Sequence, residues 1–365
     1  DRATLYAVYH FLEKLGCAWL FPSDDGLGEV VPRIDRGEYD IHGMAIPWFI
    51  TREIGGGAVG ASPEAFVDWS VKNRLNRRFA LRNEPGWAKR GGMEQWQWIA
   101  HNFAFMFPPE ENWFEKRPDF FALYNGRRVP PGQPGKPGMG GGNLALQNPE
   151  VVEYVANWCI EWFDKNPDAT VIPLWPNDGA IKWDESPEAM ALGGRNDITG
   201  PEGSMSRRLV TFANAVAKRV ADKHPDKLLL LPAYASYIEP VPEIELEPNL
   251  FVQYCYHGNY AQGPAHVSNT EAAEQMKTWA LQVNGEMPRG IIIHPLTLME
   301  GRFGIWEYFL IGDHTINEPT PILIPLLYRV DDTMQWLQRI GTRRYFTQSN
   351  NAWHRHNAIL YWVLA

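Results

Sequence analysis

Asp178 and Glu307 are the two residues of this 365-residue chain that type and context best suit to acid/base chemistry. Each closes an apolar, strand-like run. Val171 to Leu174 leads into Trp175-Pro176-Asn177-Asp178-Gly179, and Phe303-Gly304-Ile305-Trp306 leads into Glu307-Tyr308. Hydrolysis of a glycosidic bond needs two carboxyl groups across that bond, one protonated and one ionised. Trp306 and Tyr308 offer Glu307 apolar surroundings of the kind that raise a carboxyl pKa, which suits a general acid. Asp178 sits in a more polar run and suits a base, nucleophile or charge stabiliser. The same acids can equally cap a helix or pair with an arginine, since ion pairs also gather at strand ends.

Two acids 129 positions apart (307 − 178) converge only in a fold that gathers strand ends. Apolar strand-like segments fall at Ile46 to Thr51, Arg78 to Leu81, Trp96 to Ala100, Thr170 to Trp175, Leu228 to Ala233, Leu250 to Tyr254, Gly304 to Phe309 and Arg343 to Thr347. Helical segments intervene and carry start signals. Ser62-Pro63 and Asn148-Pro149 place a capping side chain ahead of a first-turn proline, and Ser268 with Glu271 reads as a capping box. Leu209, Phe212, Val216 and Val220 mark a further amphipathic helix. Eight strands alternating with helices predict a TIM-type (β/α)₈ barrel over residues 45–365. Ahead of it, Leu5, Val8, Tyr9, Leu12 and Leu15 recur at helical spacing up to Gly16, and Cys17 to Phe21 reads as a short strand. Residues 1–44 are therefore expected to be the end of an N-terminal α/β domain. Gly126 to Asn143, with four prolines and Gly140-Gly141-Gly142, is expected to be a long loop without regular structure.

Catalytic groups of such barrels lie at the C-terminal strand ends. Besides the two acids, those ends offer Arg52, Arg82, His101, Trp175, Asn177, Tyr234, Tyr254, Trp306 and Tyr308 as substrate-binding candidates, with Asn83, His257 and Gln348 nearby. Arg52 and Arg82 present donor forks that can clamp a carboxylate, or can form salt bridges at the barrel mouth. His101 can orient a hydroxyl, act as a base or line a wall. The histidines are scattered, and His354 and His356, at i and i+2, do not share a helical face, so neither a metal nor a cofactor is expected. Cys17, Cys159 and Cys255 form no metal-spaced cluster and read as buried thiols. A net charge of −9 without a basic block argues against nucleic acid. The apolar runs are far shorter than the roughly 18 residues of a membrane span. Sixteen Trp, 14 Tyr and 17 Phe fit sugar stacking as well as core packing. These residues favour a glycoside hydrolase, probed by Glu307→Gln. The rivals are a non-catalytic carbohydrate-binding protein and a lyase acting on uronate polymers with an arginine and a Tyr or His base.

The opening Thr4-Leu5-Tyr6-Ala7-Val8-Tyr9-His10-Phe11-Leu12-Glu13-Lys14-Leu15-Gly16-Cys17, followed by Trp19-Leu20-Phe21-Pro22 and Gly28-Glu29-Val30-Val31-Pro32, resembles the junction segment of the bacterial family filed as domain of unknown function 4838. His101-Asn102-Phe103, Pro118-Asp119-Phe120-Phe121-Ala122-Leu123, Asn125-Gly126, Gln147-Asn148-Pro149-Glu150-Val151, Asn177-Asp178-Gly179, Asn214-Ala215-Val216-Ala217 and Trp306-Glu307-Tyr308 continue the resemblance in order. It implies a glycosidase-like barrel behind an α/β domain similar to the N-terminal domain of α-glucuronidases. It also implies an exported polysaccharide-degrading enzyme, secreted or periplasmic, with catalytic roles carried only loosely to Asp178 and Glu307. Many relatives follow Asn-Asp-Gly with a Cys-x-Cys-x-x-Cys cluster; here Ala180-Ile181-Lys182-Trp183-Asp184 follows, and any role of that cluster is not carried over.

Overall fold

The computed structural model describes residues 2–33, 47–55, 61–77, 94–97, 100–133, 136–179, 182–259, 262–285, 301–310 and 327–349. Helix α1 (Arg2–Lys14) closes on Gly16 at φ +92°. Strands β1 (Ala18–Trp19) and β2 (Glu29–Val30) pair antiparallel behind it. Strand β3 (Thr51–Gly55) starts where the expected strand 46–51 ends, a shift of five residues. Helix α2 (Pro63–Lys72) begins as its sequence predicts: the Ser62 hydroxyl accepts from the Ala65 N–H at 3.1 Å. Its Val67 and Val71 receive Leu5 and Tyr9 of α1.

Strand β4 (Gln95–Trp96) is two residues long where Trp96 to Ala100 is expected, and the expected strand at Arg78 to Leu81 lies outside the described residues. Residues 126–143 depart from the loop expected there. They form one edge of a small hairpin, β5 (Leu123–Tyr124) with β6 (Arg127–Arg128), and then a second, β7 (Pro131–Gln133) with β8 (Lys136–Gly141). Glycine freedom makes the second possible: Gly141 has φ +70°, and a Cβ there would stand 2.3 Å from the Gly132 carbonyl oxygen. Helix α3 (Pro149–Lys165) is capped by Asn148, whose side chain accepts from the Glu150 N–H at 2.9 Å, and buries Val152, Val155, Cys159 and Phe163. Strand β9 (Ala169–Pro173) follows.

Helix α4 (Ser206–Ala221) buries Leu209, Phe212, Val216 and Val220, the predicted stripe. Strands β10 (Leu228–Ala233) and β11 (Leu250–Cys255) are buried along almost their whole length, as parallel strands covered on both faces must be. Helix α5 (Thr270–Asn284) follows a 3₁₀ turn whose cap is the His266 ring, accepting from the Ser268 N–H; the expected Ser268 capping box is not what starts it. Strand β12 (Phe303–Leu310), helix α6 (Leu327–Arg339) and strand β13 (Arg344–Ser349) complete the described elements.

The residues cluster in two units, one drawn from 1–94, 256–274 and 301–349, the other from 95–255 and 275–285. In the first, β3, β13 and β12 form a parallel run with registers Phe346–Glu53 and Trp306–Phe346. In the second, β11, β10, β9 and β4 run parallel in that order. The molecule is thus an α/β protein of parallel strands and helices. No described helix is long and apolar enough to cross a membrane.

Candidate active site

Strand β9 delivers the chain to Asp178 through a buried exit. Leu174 and Trp175 are almost fully buried, and the Asn102 side chain clips the turn by donating to the Pro173 carbonyl and accepting from the Trp175 N–H. Asp178 itself keeps 31% of its side chain exposed. Its Oδ1 accepts from the Tyr234 hydroxyl at 3.3 Å and from the Gly179 N–H at 2.8 Å. Its Oδ2 faces Nε2 of His101 at 3.8 Å.

His101 is held on three sides. Its backbone lies in the left-handed region at φ +50°, a conformation that costs a non-glycine residue about 1–3 kcal/mol. Its Nδ1 stands 2.7 Å from the Pro176 carbonyl oxygen, which can only accept, so Nδ1 carries the hydrogen. Its ring meets Trp175 and Tyr234 edge-on, with centroids at 5.6 and 6.2 Å. Burial pushes the imidazole pKa below its ordinary 6.5, against the opposing pull of the Pro176 carbonyl and the Asp178 charge. At neutral pH the ring is therefore uncharged and Nε2 is a bare acceptor.

The second hairpin is built onto this site. The Gly140 N–H donates to the Asp178 carbonyl at 2.6 Å, Met139 bridges to Asp178, and Asn177, itself buried, donates to the Gly142 carbonyl at 3.3 Å. Asn177 thus anchors the hairpin. Trp175 is a wall beneath His101, and Tyr234 is the residue of the predicted set that touches the carboxylate. Sequence reading missed Trp183 and Tyr237, whose rings pack together at 5.6 Å beside Tyr234. Burial raises the Tyr237 hydroxyl well above its ordinary value.

In the other unit, strand alternation separates residues that are adjacent in sequence. Trp306 packs on Phe346 at 4.2 Å and donates to Gln348 at 3.1 Å, while Tyr308 packs against His257 at 5.5 Å. Glu307, between them in sequence, points to the opposite face. There its Oε1 accepts from Arg329 of α6 at 2.9 Å, and both side chains are 2% exposed. Thr347 donates to the other carboxylate oxygen at 3.5 Å, and Arg329 also reaches the Gln262 carbonyl. The apolar setting expected for Glu307 is replaced by a buried ion pair between strand and helix.

Arg52 shares that helix-covered face. Its guanidinium donates to the carbonyls of Phe49 and Arg74 and to the Tyr6 hydroxyl, so it ties α1 and the end of α2 to β3 rather than clamping a ligand. Glu53, one residue on, lies on the other face in a buried pair with Arg77 at 2.6 Å, and the sequence reading passed over both. Tyr254 is fully buried and donates to Gln275 of α5 at 2.6 Å, which removes it from the substrate-binding set. Arg82 lies outside the described residues. Among the described residues, no three His, Cys, Asp or Glu side chains are grouped to hold a metal.

Parallel strands flanked by helices, with a carboxylate just past a strand end, define an α/β protein with a candidate acid/base site. The chain belongs to the family described as domain of unknown function (DUF4838), whose model matches residues 27–285. No curated protein matches it. Among solved structures it is similar to endo-glycoceramidase II from Rhodococcus sp., at TM-score 0.35 and 10% identity over 83% of this chain and 72% of that one. The same enzyme in a cellobiose-like isofagomine complex gives TM-score 0.28 and 10% identity, over 55% of this chain and 40% of that one. The chain thus spans well under two thirds of the length of that structure.

Proposed function

We propose that the protein is a glycoside hydrolase, exo-acting on a polysaccharide or glycan and exported from the cell, with Asp178 as its working carboxylate. The observation that carries this reading is the trio of Asp178, His101 and Tyr234. A partly exposed carboxylate is braced by a phenol on one oxygen and faces an uncharged imidazole on the other, between aromatic walls. Asp178 in this reading acts as base, nucleophile or charge stabiliser, and the Tyr234 hydroxyl fixes its orientation. The finer architecture belongs to the same proposal. Residues 45–365 form a (β/α)₈ barrel, and residues 1–44 close an N-terminal α/β domain.

The test is release of p-nitrophenol from a panel of aryl glycosides by the wild-type chain and by Asp178→Ala. Turnover that falls by a factor of about 10² to 10⁴ in the variant supports the reading, the range that one positioned acid/base group contributes. Turnover unchanged in Asp178→Ala removes Asp178 from the mechanism.

One observation favours a second reading, a carbohydrate-binding protein that does not cleave. Glu307, the second carboxyl of the two-carboxylate scheme, is committed to Arg329 in a buried pair. Sugar binding with no bond cleavage across the panel would establish it. A uronate lyase finds less support, because Arg52 is engaged with backbone carbonyls.

A further inference from the structure

Among the described residues, the edge between His101 and Asp178 presents two acceptors. Nδ1 of His101 spends its hydrogen on the Pro176 carbonyl at 2.7 Å, which leaves Nε2 with a lone pair. Oδ1 of Asp178 takes the Tyr234 hydroxyl and the Gly179 N–H, so Oδ2 is the oxygen turned to the imidazole. Nε2 and Oδ2 stand 3.8 Å apart, too far for a direct hydrogen bond and placed so that two neighbouring donors can each reach one of them. Both groups are braced by their surroundings. The left-handed backbone at His101 and the edge-on rings of Trp175 and Tyr234 fix the imidazole. The Gly140 N–H holds the Asp178 backbone at 2.6 Å. Lys182, the cation that follows Asp178 most closely in sequence, holds its ammonium over the Tyr124 ring, 5.6 Å from its centroid.

We propose that this edge receives a neutral sugar ring through two adjacent hydroxyls, one donating to Nε2 of His101 and the other to Oδ2 of Asp178, and that it rejects an anionic substituent at the same place. The inference rests on the glycoside reading above and sharpens its substrate class. A uronate, phosphate or sulfate group at neutral pH brings acceptors to the two acceptors of this edge, and brings negative charge to a carboxylate. Two ring hydroxyls bring one donor to each atom, one of them into a charge-assisted bond.

The test measures binding at pH 7 by NMR titration of matched methyl glycosides: glucoside against glucuronide, galactoside against galacturonide, with methyl mannoside as a third neutral ring. The wild-type chain is expected to bind at least one neutral glycoside about tenfold or more tightly than its uronate partner. Asp178→Asn keeps the side-chain shape, exchanges an acceptor for a donor and removes the charge. It is expected to weaken the neutral ligand about tenfold and to close the gap to the uronate. Circular dichroism of the variant confirms that it is folded, and His101→Gln supplies a second variant in which the neutral ligand weakens. A uronate bound as tightly as its neutral partner, no neutral glycoside bound at all, or a gap unchanged in Asp178→Asn each overturns the proposal. Parallel aryl-glycoside assays separate the two readings. Cleavage of the uronate substrate sinks this inference and keeps the hydrolase, whereas neutral binding without cleavage keeps this inference and sinks the hydrolase.

Discussion

At the scale of single residues, one buried ion pair and one histidine govern the expected responses to mutation and to pH. Glu307 and Arg329 are both buried, and removing one partner leaves the other as an uncompensated charge. Glu307→Ala is expected to cost about 3–5 kcal/mol of stability in denaturant unfolding, and Glu307→Leu combined with Arg329→Met to recover most of it. A catalytic Glu307 would instead give a stable, inactive Glu307→Gln protein. His101 sets a pH dependence whose sign follows from its depressed pKa. The unfolded chain takes up the proton near 6.5 and the folded chain only at lower pH. The contribution of His101 to stability is therefore fully present above 6.5 and is lost as the pH falls through the depressed folded value. Denaturant midpoints measured from neutral to acid pH should fall less steeply in His101→Gln than in the wild type. Asp178→Asn removes a charge that favours imidazolium, so the His101 ring should titrate at still lower pH by NMR.

At the scale of elements, the hairpin of β7 and β8 is the device that brings glycine backbone alongside Asp178. Gly141→Ala sets a Cβ 2.3 Å from the Gly132 carbonyl at a left-handed φ. It is expected to lower stability by about 1–3 kcal/mol, read by thermal unfolding, and to shift the His101 ring resonances. This hairpin was illegible in the sequence because proline and triple glycine signal irregular backbone, while its pairing depends on Gly140 and Gly142 meeting the chain near Asp178. Buried strands were easier to read: Leu228 to Ala233 is apolar throughout and β10 occupies those residues. The edges were harder. With the first strand placed at 46–51, its end pointed to Arg52, whereas β3 runs on to Gly55 and presents Glu53 on the face opposite Arg52. A slip of one residue exchanges the two faces of a strand. The same rule parts Glu307 from Trp306 and Tyr308, although the three adjoin in sequence. Asp178, Tyr234 and His101 could be named from sequence because each follows an apolar or aromatic run. Their mutual contacts come from turns that no periodicity encodes.

At the scale of the whole molecule, the three cysteines report on global opening. Cys17, Cys159 and Cys255 are all buried, and burial alone raises the Cys159 thiol far above its ordinary value. Ellman's reagent is expected to modify none of them rapidly in the native protein and all three in denaturant; a fast-reacting thiol under native conditions would contradict this packing. The way α1 sits on α2 bears on how the chain can be divided. Leu5 and Tyr9 cover Val67 and Val71, Tyr9 meets Trp19 at 5.3 Å, and Tyr6 accepts from Arg52 on β3. A version shortened to begin at residue 45 would strip that cover from α2, a helix that such a version retains. It would present bare valines to solvent and leave part of the Arg52 guanidinium unanswered, so clumping during expression, rather than loss of turnover, is the first cost of trimming at that point.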